Sequence, residues 1–504
     1  MTEDRGWETE MMYEPVIGLE VHAEIATQSK IFCSCPVVDN TIAEANSAVC
    51  PVCAGMPGML PVVNQRAVEY GIRVALALGC EIAPVSIFAR KNYFYPDLPK
   101  GYQISQYKEP LAENGSLRIR TAEGVRDIRV RRVHLEEDTG KLTHMESPHP
   151  NPSPTGSEAR GEGYSLIDLN RAGVPLLEIV SEPDLRSAEE ARIYGETLRN
   201  LLRYLAVNSG DMQKGVLRFE ANISVREAGS TEFNTRTEIK NLNSFRALER
   251  STLYEIERQS ELHRKGERVI QQTMGWDEAR QVTVSQRSKE EEDDYRYFPE
   301  PDLPPLAVSG EWLAQIRADL PELPEAKRTR FIEQYQLSEY DADVLVAEQE
   351  VADYFETALA AGAKITPKLV ANWIAGELFG LLNQAGVGLS SAGVSPQNLS
   401  GLLNLLEAGT INSSTAKIVL AEMFANGESA ESIVEVRGLR QISDSEPIRA
   451  AIAQLLADHP AEVQQFRNGK ENLVNWFFGQ VMRSMKGKAN PQVVREELLR
   501  QLNG

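Results

Sequence analysis

The sequence predicts an α+β protein in which an antiparallel sheet domain is followed by an all-helical C-terminal region. Three observations predict this fold class. Polar and apolar residues alternate along several short segments before about residue 300, a period typical of strands. Beyond about residue 305 the strand pattern is lost and helical periodicity replaces it. Between the two regions, residues 298–305 hold four prolines in seven positions, which excludes both a helix and a central strand there.

The length and composition of the chain limit its class. At 504 residues it exceeds one ordinary core, and domains of roughly 100–200 residues predict about two to four of them. A hydrophobic content of 42% and a charged content of 25% are ordinary for a globular protein. Because no apolar stretch is long enough to cross a bilayer and the N-terminal segment is acidic, we expect a cytoplasmic protein without membrane contact.

The charge of the chain is strongly negative, but its end is basic. The net charge is −20, so the surface as a whole does not attract nucleic acid. Residues 461–504 run against this trend: seven Lys or Arg against four Glu give a net charge of +3, which leaves −23 on the remainder. Any contact with nucleic acid is therefore expected to be local.

Four of the five cysteines lie close together in the sequence. Cys33 and Cys35 form one pair, and after fourteen intervening residues Cys50 and Cys53 form a second. Two close pairs separated by a loop are a common arrangement for four thiolates around Zn²⁺, and a closed set of four cysteine ligands indicates a structural metal. The fifth, Cys80, follows a helical segment and is predicted to be a buried core thiol.

Several predicted strands carry unusual polar faces. In residues 16–25, Glu20, His22 and Glu24 share one face because residues two apart on a strand point the same way. The simpler alternative is a half-exposed antiparallel sheet with an ordinary polar side. Glu, His, Asn and Arg are, however, the residue types that bind divalent metal, phosphate and carboxylate, so we favour a concave sheet that holds Mg²⁺ and an anionic substrate. The other aligned polar residues are Arg218, Glu220, Asn222, Ser224 and Arg226; His134, Glu136 and Asp138; Arg236, Glu238 and Lys240; and Glu178 and Glu182.

Residues 90–107 interleave cations with five aromatic residues. Aromatic faces stack on bases and cations hold phosphate, which suits a nucleotide or a single-stranded RNA end. A surface loop with a tyrosine-rich apolar anchor explains the composition equally well. No G-x-x-x-x-G-K-[ST] or G-x-G-x-x-G motif occurs, so a P-loop or Rossmann site is not expected.

Helix start and stop residues divide the C-terminal half into short helices. Ser395-Pro396 is a start signal, and Ala385-Gly386 and Asn426-Gly427 are stop signals. The predicted helices are Lys368–Gln384, Leu399–Leu406, Ser413–Ala425, Ile448–Ala457 and Val493–Leu502.

Several motifs together resemble one known family. The motifs are Val16-Ile17-Gly18-Leu19-Glu20-Val21-His22, Lys91-Asn92-Tyr93-Phe94-Tyr95-Pro96-Asp97, His134-Leu135-Glu136-Glu137-Asp138, residues 170–180 (NRAGVPLLEIV), residues 238–245 (EIKNLNSF) and residues 295–305 (YRYFPEPDLPP). They are similar to the B subunit of the aspartyl/glutamyl-tRNA(Asn/Gln) amidotransferase, and the resemblance covers almost the whole chain.

The resemblance implies a cradle-shaped catalytic domain over residues 1–304, a helical domain over 305–428 and a YqeY-like tail over 429–504 that contacts tRNA. It also implies a carbon–nitrogen ligase that works as a heterotrimer with a glutaminase A subunit and a small C subunit. The reaction implied by the resemblance is phosphorylation by ATP of the Glu or Asp carried by a misacylated tRNA, after which ammonia from the A subunit displaces phosphate to give Gln or Asn. No Gly-Gly-Ser-Ser amidase run occurs in this chain, which agrees with ammonia arriving from a partner.

The resemblance also implies the site residues. Glu20, His22 and Glu136 match the magnesium positions and are expected to be catalytic. Lys91 is also expected to be catalytic, and together with the neighbouring tyrosines it matches a substrate-binding segment. Glu220 is expected as a further catalytic carboxylate and Mg²⁺ ligand. The expected residues for binding substrate, ATP and the tRNA end are Tyr93, Tyr95, Lys100, Gln103, Asn170, Arg171, Glu178, Asn222 and Lys240. Independently of the resemblance, Arg483, Lys486 and Lys488 form a short basic stretch on an otherwise acidic protein and are the expected tRNA contacts in the tail.

Two departures from the family pattern bear on these expectations. The family commonly has Asp-Val-Asn where this chain has Glu220-Ala221-Asn222, so the carboxylate is one methylene longer. Ahead of Trp276-Asp277 it usually has Glu-Thr-Arg where this chain has Gln272-Thr273-Met274, which argues against a site in that segment.

Two other classes of protein stay open: a zinc-bearing RNA-binding scaffold without catalysis, and an ATP-dependent ligase that acts on a small acid. The polar strand faces argue against the first, and the basic tail and the aromatic segment argue against the second. Either or both of Asp-tRNA(Asn) and Glu-tRNA(Gln) are open as substrates.

Overall fold

A nine-stranded sheet dominates the first part of the chain in this computed structural model, which describes residues 13–145, 164–287, 295–362, 364–441, 445–485 and 489–503. The chain divides into two compact units between Leu323 and Pro324. Among the described strands of the large sheet, every pairing is antiparallel except that of β12 with β13. The strand order is β14-β13-β12-β11-β1-β10-β7-β6-β2. Its strands are β1 (Tyr13–Glu24), β2 (Glu81–Ile82), β6 (Ala112–Thr121), β7 (Gly124–Glu137), β10 (Pro175–Ser181), β11 (Leu217–Glu227), β12 (Thr237–Leu242), β13 (Thr273–Asp277) and β14 (Val282–Arg287).

Three smaller sheets complete the strands of this unit. They are β15-β4-β5, β16-β3 and β8-β9. Their strands are β3 (Val85–Ser86), β4 (Phe88–Asn92), β5 (Tyr102–Gln106), β8 (Lys141–Met145), β9 (Tyr164–Asp168), β15 (Phe298–Pro299) and β16 (Leu306–Ala307).

The apolar core lies between one face of the large sheet and the helices that pack on it. Alternation in β1 produces this core, since Leu19, Val21 and Ala23 are fully buried while Glu20 and His22 point to the other face. The helices begin at side-chain caps, as at Ser187, whose hydroxyl accepts from the amide of the third residue beyond it. The helices of this unit are α1 (Gln65–Ala77), α2 (Ala188–Tyr204), α3 (Phe245–Arg264) and α4 (Gly310–Ala318).

Cys80 is a core thiol as predicted: it is 7% exposed, and burial raises its pKa to about 12. The strand residue opposite it is Gly115, where an added Cβ would lie 2.3 Å from the sulfur of Cys80. A glycine is therefore required at this contact between β6 and the turn after α1.

In the described part of the second unit, the regular elements are all helices, joined by turns and loops. Its helices bury two apolar clusters, one between Phe331 and Val434 and one between Ile448 and Leu502. The segment predicted as one helix from residue 368 to 384 is helical, but it contains a π-helical stretch, Trp373–Leu378, between α8 and α9. The helices are α5 (Pro324–Tyr335), α6 (Glu339–Val346), α7 (Gln349–Ala361), α8 (Pro367–Asn372), α9 (Phe379–Ala385), α10 (Pro396–Glu407), α11 (Ser413–Asn426), α12 (Ala430–Val436), α13 (Ser445–Asp458), α14 (Pro460–Arg467), α15 (Leu473–Ser484) and α16 (Pro491–Asn503).

The predicted fold class, a sheet domain followed by a helical region, is confirmed. Among the described residues, none of the helices combines the length and the apolar character that a membrane span requires.

Candidate active site

A polar cavity of about 740 Å³ lies on the large sheet, on the side that carries the polar strand residues. Strands β1, β7, β10, β11 and β12 supply most of its floor, and residues of β4, β5 and the segment around Tyr295 supply a wall. Of the residues predicted to form the site, those that line this cavity are Glu20, His22, Lys91, Tyr93, Gln103, Glu136, Arg171, Glu178, Glu220 and Lys240.

Strand register brings these side chains together across the sheet. His22 of β1 lies opposite Glu178 of β10 on one side and Arg218 of β11 on the other. Glu178 in turn lies opposite His134 of β7. Directly opposed residues of antiparallel strands point to the same side, so these four form one row across four strands.

One group of potential metal ligands is His22, Glu136 and Glu178. The Nε2 atom of His22 lies 3.4 Å from Glu178 Oε2 and 3.8 Å from Glu136 Oε1, and His134 Nε2 lies 3.3 Å from the same Glu178 oxygen. Burial opposes the charged imidazole, but Glu178 and the other carboxylates outweigh it and raise the pKa of His22 to about 9. Burial and Glu178 raise the pKa of Glu136, whereas the two histidines hold the pKa of Glu178 well below its usual range against the effect of burial.

A second group is Glu20, Glu220 and Glu238. Lys240 partly neutralises it, with its Nζ 2.7 Å from Glu220 Oε2 and 3.7 Å from Glu238 Oε1. Burial and the neighbouring carboxylates raise the pKa of Glu20, while Lys240 lowers that of Glu220 in spite of burial. Asn222 lies beside the group and donates from Nδ2 to Glu20 Oε1 at 2.8 Å.

The four predicted magnesium residues are thus divided between two groups. His22 and Glu136 belong to the first, and Glu20 and Glu220 belong to the second. Glu238, which completes the second, was not among the predicted ligands, although it lies on one of the polar strand faces noted in the sequence.

Tyrosines form one wall of the cavity. The Nζ of Lys91 lies 4.7 Å from the ring centroid of Tyr295, and the rings of Tyr107 and Tyr297 are stacked with centroids 4.2 Å apart. Tyr93 completes the wall and meets Tyr295 edge-on. Tyr295 and Tyr297 occur in a motif that supports the family resemblance, but no role in the site was predicted for them.

A charge network around the buried Asp138 forms part of the cavity lining. Arg218 Nη2 donates to Asp138 Oδ2 at 2.9 Å, and Arg171 Nε lies 3.6 Å from the same oxygen. Arg171 also donates to the carbonyl oxygens of Thr139 and Gly140 at 3.0 and 2.7 Å. Arg171 is therefore held in place by the backbone that follows β7.

Four predicted binding residues are not part of the cavity lining: Asn222, which lies beside the second group of carboxylates, and Tyr95, Lys100 and Asn170. Tyr95 lines a shallow surface pocket and is 49% exposed. Lys100 forms an ion pair with Glu137 beside the cysteine cluster. Asn170 is fully buried. Its side-chain oxygen accepts a hydrogen bond of 2.8 Å from the backbone N–H of Ala48, and its Nδ2 donates one of 2.7 Å to the carbonyl oxygen of Glu44, both in the loop that joins the cysteine pairs.

The four clustered cysteines can hold a metal ion. The Sγ atoms of Cys33, Cys35, Cys50 and Cys53 all lie within 4.8 Å of one another, and those of Cys50 and Cys53 are 3.9 Å apart. A tetrahedral zinc with sulfur ligands at about 2.3 Å requires sulfur–sulfur distances of about 3.8 Å, so this donor set fits. A hydrogen bond from the Cys33 thiol is the largest cause that lowers the pKa of Cys53, to about 4.

Of the predicted tail residues, Arg483 is exposed at the end of α15. Lys486 and Lys488 lie outside the described residues.

The first unit carries clustered carboxylates, cations and tyrosines in one cavity, an arrangement that can bind metal ions and anions, and a helical unit follows it in the chain. Two family models match the chain in the same order. Residues 15–314 match the GatB/GatE catalytic domain and residues 353–502 match the GatB domain of the GatB–Yqey type. The chain belongs to the GatB family of amidotransferase subunits, as the resemblance predicted.

Relatives match over nearly their whole length. The protein from Thermodesulfovibrio yellowstonii is 53% identical over 486 residues, which are 96% of this chain and 98% of the relative. That from Geobacter sulfurreducens is 50% identical over 494 residues, 98% of this chain and 100% of the relative. Both are named as the B subunit of the aspartyl/glutamyl-tRNA(Asn/Gln) amidotransferase. The predicted enzyme class, a glutamine-hydrolysing amidotransferase subunit, is confirmed by these relatives.

Proposed function

We propose that this chain activates the side-chain carboxylate of Glu or Asp on a misacylated tRNA and converts it to the amide. In the first step a carboxylate oxygen attacks the γ-phosphorus of ATP, and ADP leaves. In the second step ammonia attacks the acyl carbon, the acyl–phosphate bond breaks, and phosphate and a proton leave. Phosphorylation is needed because a free carboxylate is a poor electrophile. The proposal rests mainly on one cavity, whose lining contains Lys91 and both clusters of potential metal ligands.

The two groups of carboxylates would hold magnesium. Glu136 and Glu178 supply oxygen donors in the first group, as do Glu20, Glu220 and Glu238 in the second, and oxygen is the donor that Mg²⁺ prefers. Bound magnesium would neutralise charge that develops on the transferred phosphoryl group. His22 is a poorer magnesium ligand, since imidazole suits softer metals, and we assign it to orienting a water or a phosphate oxygen.

Lys91 and the tyrosine wall would bind the anionic reactants. Lys91 faces Glu136, Glu178 and Tyr297, and these groups outweigh burial to raise its pKa well above its usual range. The ammonium therefore stays charged at physiological pH and can neutralise a phosphate or the substrate carboxylate. Tyrosine rings beside it offer flat surfaces on which an adenine ring or the tRNA end can stack.

Ammonia for the second step would come from another protein. We propose a heterotrimer in which a glutaminase A subunit supplies ammonia and a small C subunit completes the assembly in the cytoplasm. The relatives that match this chain are named as subunits, which supports a multi-subunit enzyme. Structural Zn²⁺ at the four cysteines, ATP and Mg²⁺ complete the set of cofactors.

The test of this proposal is transamidation by the assembled complex. Glu-tRNA(Gln) and Asp-tRNA(Asn) are each added with ATP and glutamine, and phosphate release and amide formation are followed together. ATP hydrolysis that depends on the mischarged tRNA supports the proposal. Turnover without tRNA would indicate a ligase of small acids, and a complex without ATP turnover would indicate a scaffold.

The affinity for tRNA is expected to depend on the basic residues near the end of the chain. Changing Arg483, Lys486 and Lys488 to Gln should raise the KM for tRNA and lessen its dependence on salt, because each lost phosphate contact reduces the salt slope by about 0.7–0.9. Turnover at saturating tRNA should survive. Point substitutions are sharper than removal of residues 461–504, since α14, α15 and α16 share an apolar cluster with α13.

The matched control is Lys265→Gln, which removes an exposed cation from the first unit. An unchanged KM and salt slope in the triple variant would show that the tail does not contact tRNA.

Loss of a cysteine ligand is expected to remove the structural metal. Cys50→Ser should lower zinc content from one equivalent towards none and lower the melting temperature, while the folded fraction retains its turnover. Zinc is measured by elemental analysis beside the melting curve. Ser34→Ala, an exposed change between two of the cysteines, should keep the metal. Wild-type protein without zinc and with four freely titratable thiols would contradict the assignment.

A further inference from the structure

Lys30 is a fully buried cation beside the four-cysteine cluster. Its side chain is 0% exposed, and its ammonium lies 3.6 Å from Cys53 Sγ and 3.1 Å from the carbonyl oxygen of Leu169. It forms no ion pair with a carboxylate of the described residues, so the thiol sulfur is the one group in contact with it that can carry a negative charge. A buried charge is costly unless a partner of opposite sign lies beside it.

A metal bound by the four cysteines would supply that partner. Four thiolates around a divalent ion leave an excess of negative charge, and an N–H group directed at a ligand sulfur stabilises it. The ammonium of Lys30 is placed to make this contact with Cys53. The positive charge of Lys30 and the excess negative charge of the metal-loaded cysteine cluster therefore compensate one another.

The second contact of Lys30 is with Leu169, two residues before Arg171, which lines the cavity. Leu169, whose carbonyl accepts from Lys30, is followed by Asn170, which binds the loop between the cysteine pairs. Next comes Arg171, which lines the cavity and donates to two backbone carbonyls of its wall. Residues 169–171 are therefore fastened to the cysteine cluster at one end and to the cavity at the other.

We propose that Lys30 is the positioning counter-cation of the four-cysteine metal site and that, through Leu169, it couples metal loading to the order of the cavity wall. The inference rests on the proposed metal site. Its alternative is packing alone: the Lys30 stem fills space beside Gly173, where an added Cβ would lie 3.5 Å from Lys30 Cδ. Lys30→Met separates the two, because methionine keeps the apolar stem and lacks the charge.

The experiment uses the full-length chain and measures zinc affinity by competition with a chromophoric chelator, together with the thiolate charge-transfer spectrum of the Co²⁺-substituted protein. Lys30→Met is expected to weaken zinc binding about 10–100-fold, the usual effect of losing such an outer contact. Lys30→Arg, which keeps the charge, is expected to retain more of the affinity. Lys108→Met, an exposed control, is expected to bind zinc as the wild type does.

Two further readouts separate charge from packing. Zinc should raise the melting temperature of wild type more than that of Lys30→Met, while the metal-free variant melts no lower than metal-free wild type. Zinc should also slow hydrogen exchange at residues 169–173 in wild type and do so less in the variant.

Equal zinc affinity in wild type and Lys30→Met, or equal destabilisation with and without zinc, overturns the counter-cation role and indicates packing. If zinc does not change the rate of hydrogen exchange at residues 169–173 in wild type, the coupling to the cavity wall is overturned. A wild-type chain that binds no metal in the chelator assay overturns the metal site itself, a result distinct from failure of Lys30 alone.

Discussion

Glu136→Ala is expected to reduce tRNA-dependent phosphate release from ATP on the order of 10²–10³-fold, the usual effect of losing a contact that stabilises transition-state charge. Glu136 belongs to the first carboxylate group of the cavity. Glu20→Ala, which removes one carboxylate of the second group, is expected to have a similar effect. Glutamine hydrolysis by the partner should persist in both complexes. The assay is phosphate release at saturating Mg²⁺ beside a glutaminase assay.

Glu113→Ala is the matched control, because Glu113 is an exposed carboxylate on β6 outside the cavity lining. It should leave both activities unchanged. Near wild-type phosphate release from Glu136→Ala or Glu20→Ala would show that the corresponding group is ordinary polar sheet surface. If only one of the two variants loses phosphate release, the catalytic magnesium is held by the cluster of carboxylates to which that residue belongs, and the other cluster does not hold it.

Lys91→Met is expected to lower the rate of phosphoryl transfer by on the order of 10²-fold, because it removes a charged donor from the place where two anions meet. The change keeps most of the apolar stem against the tyrosine wall. Single-turnover measurements at saturating ATP and tRNA distinguish slowed chemistry from weakened binding.

Lys108→Met serves as the control, since Lys108 is exposed and lies just after β5. A Lys91→Met variant with unchanged single-turnover rate and raised KM would limit Lys91 to binding. If the single-turnover rate and the KM values for ATP and tRNA are both unchanged in Lys91→Met, Lys91 has no role in binding or in phosphoryl transfer.

The polar faces and the cysteine cluster were predictable from local patterns. In β1, Glu20 and His22 share a face because a strand has a period of two, and the structure has both in the cavity lining. The paired cysteines were predictable because close spacing forces proximity, and their sulfur atoms lie together. Both results depend on short stretches of chain, a single strand in one case and residues 33–53 in the other.

The grouping of the carboxylates was not predictable in this way. Cross-strand register decides that Glu20 faces Glu220 while His22 faces Glu178, and register depends on which strands pair over separations of more than 150 residues. Tyr295 was missed as part of the site for the same reason: it reaches the wall beside Lys91 although it is 204 residues away along the chain.

By itself, the sequence determined the class of each region, the polar side of several strands, the clustering of the cysteines and the family. Those features follow from local periodicity, short spacing and motif identity. Only the tertiary structure decided that the site residues form two carboxylate groups with Lys240 beside one of them. It also decided that Lys30 lies between Cys53 of the cysteine cluster and the backbone of Leu169. These arrangements arise where strands and loops distant in the chain pack together, because the free energy of that packing depends on contacts that no local pattern contains.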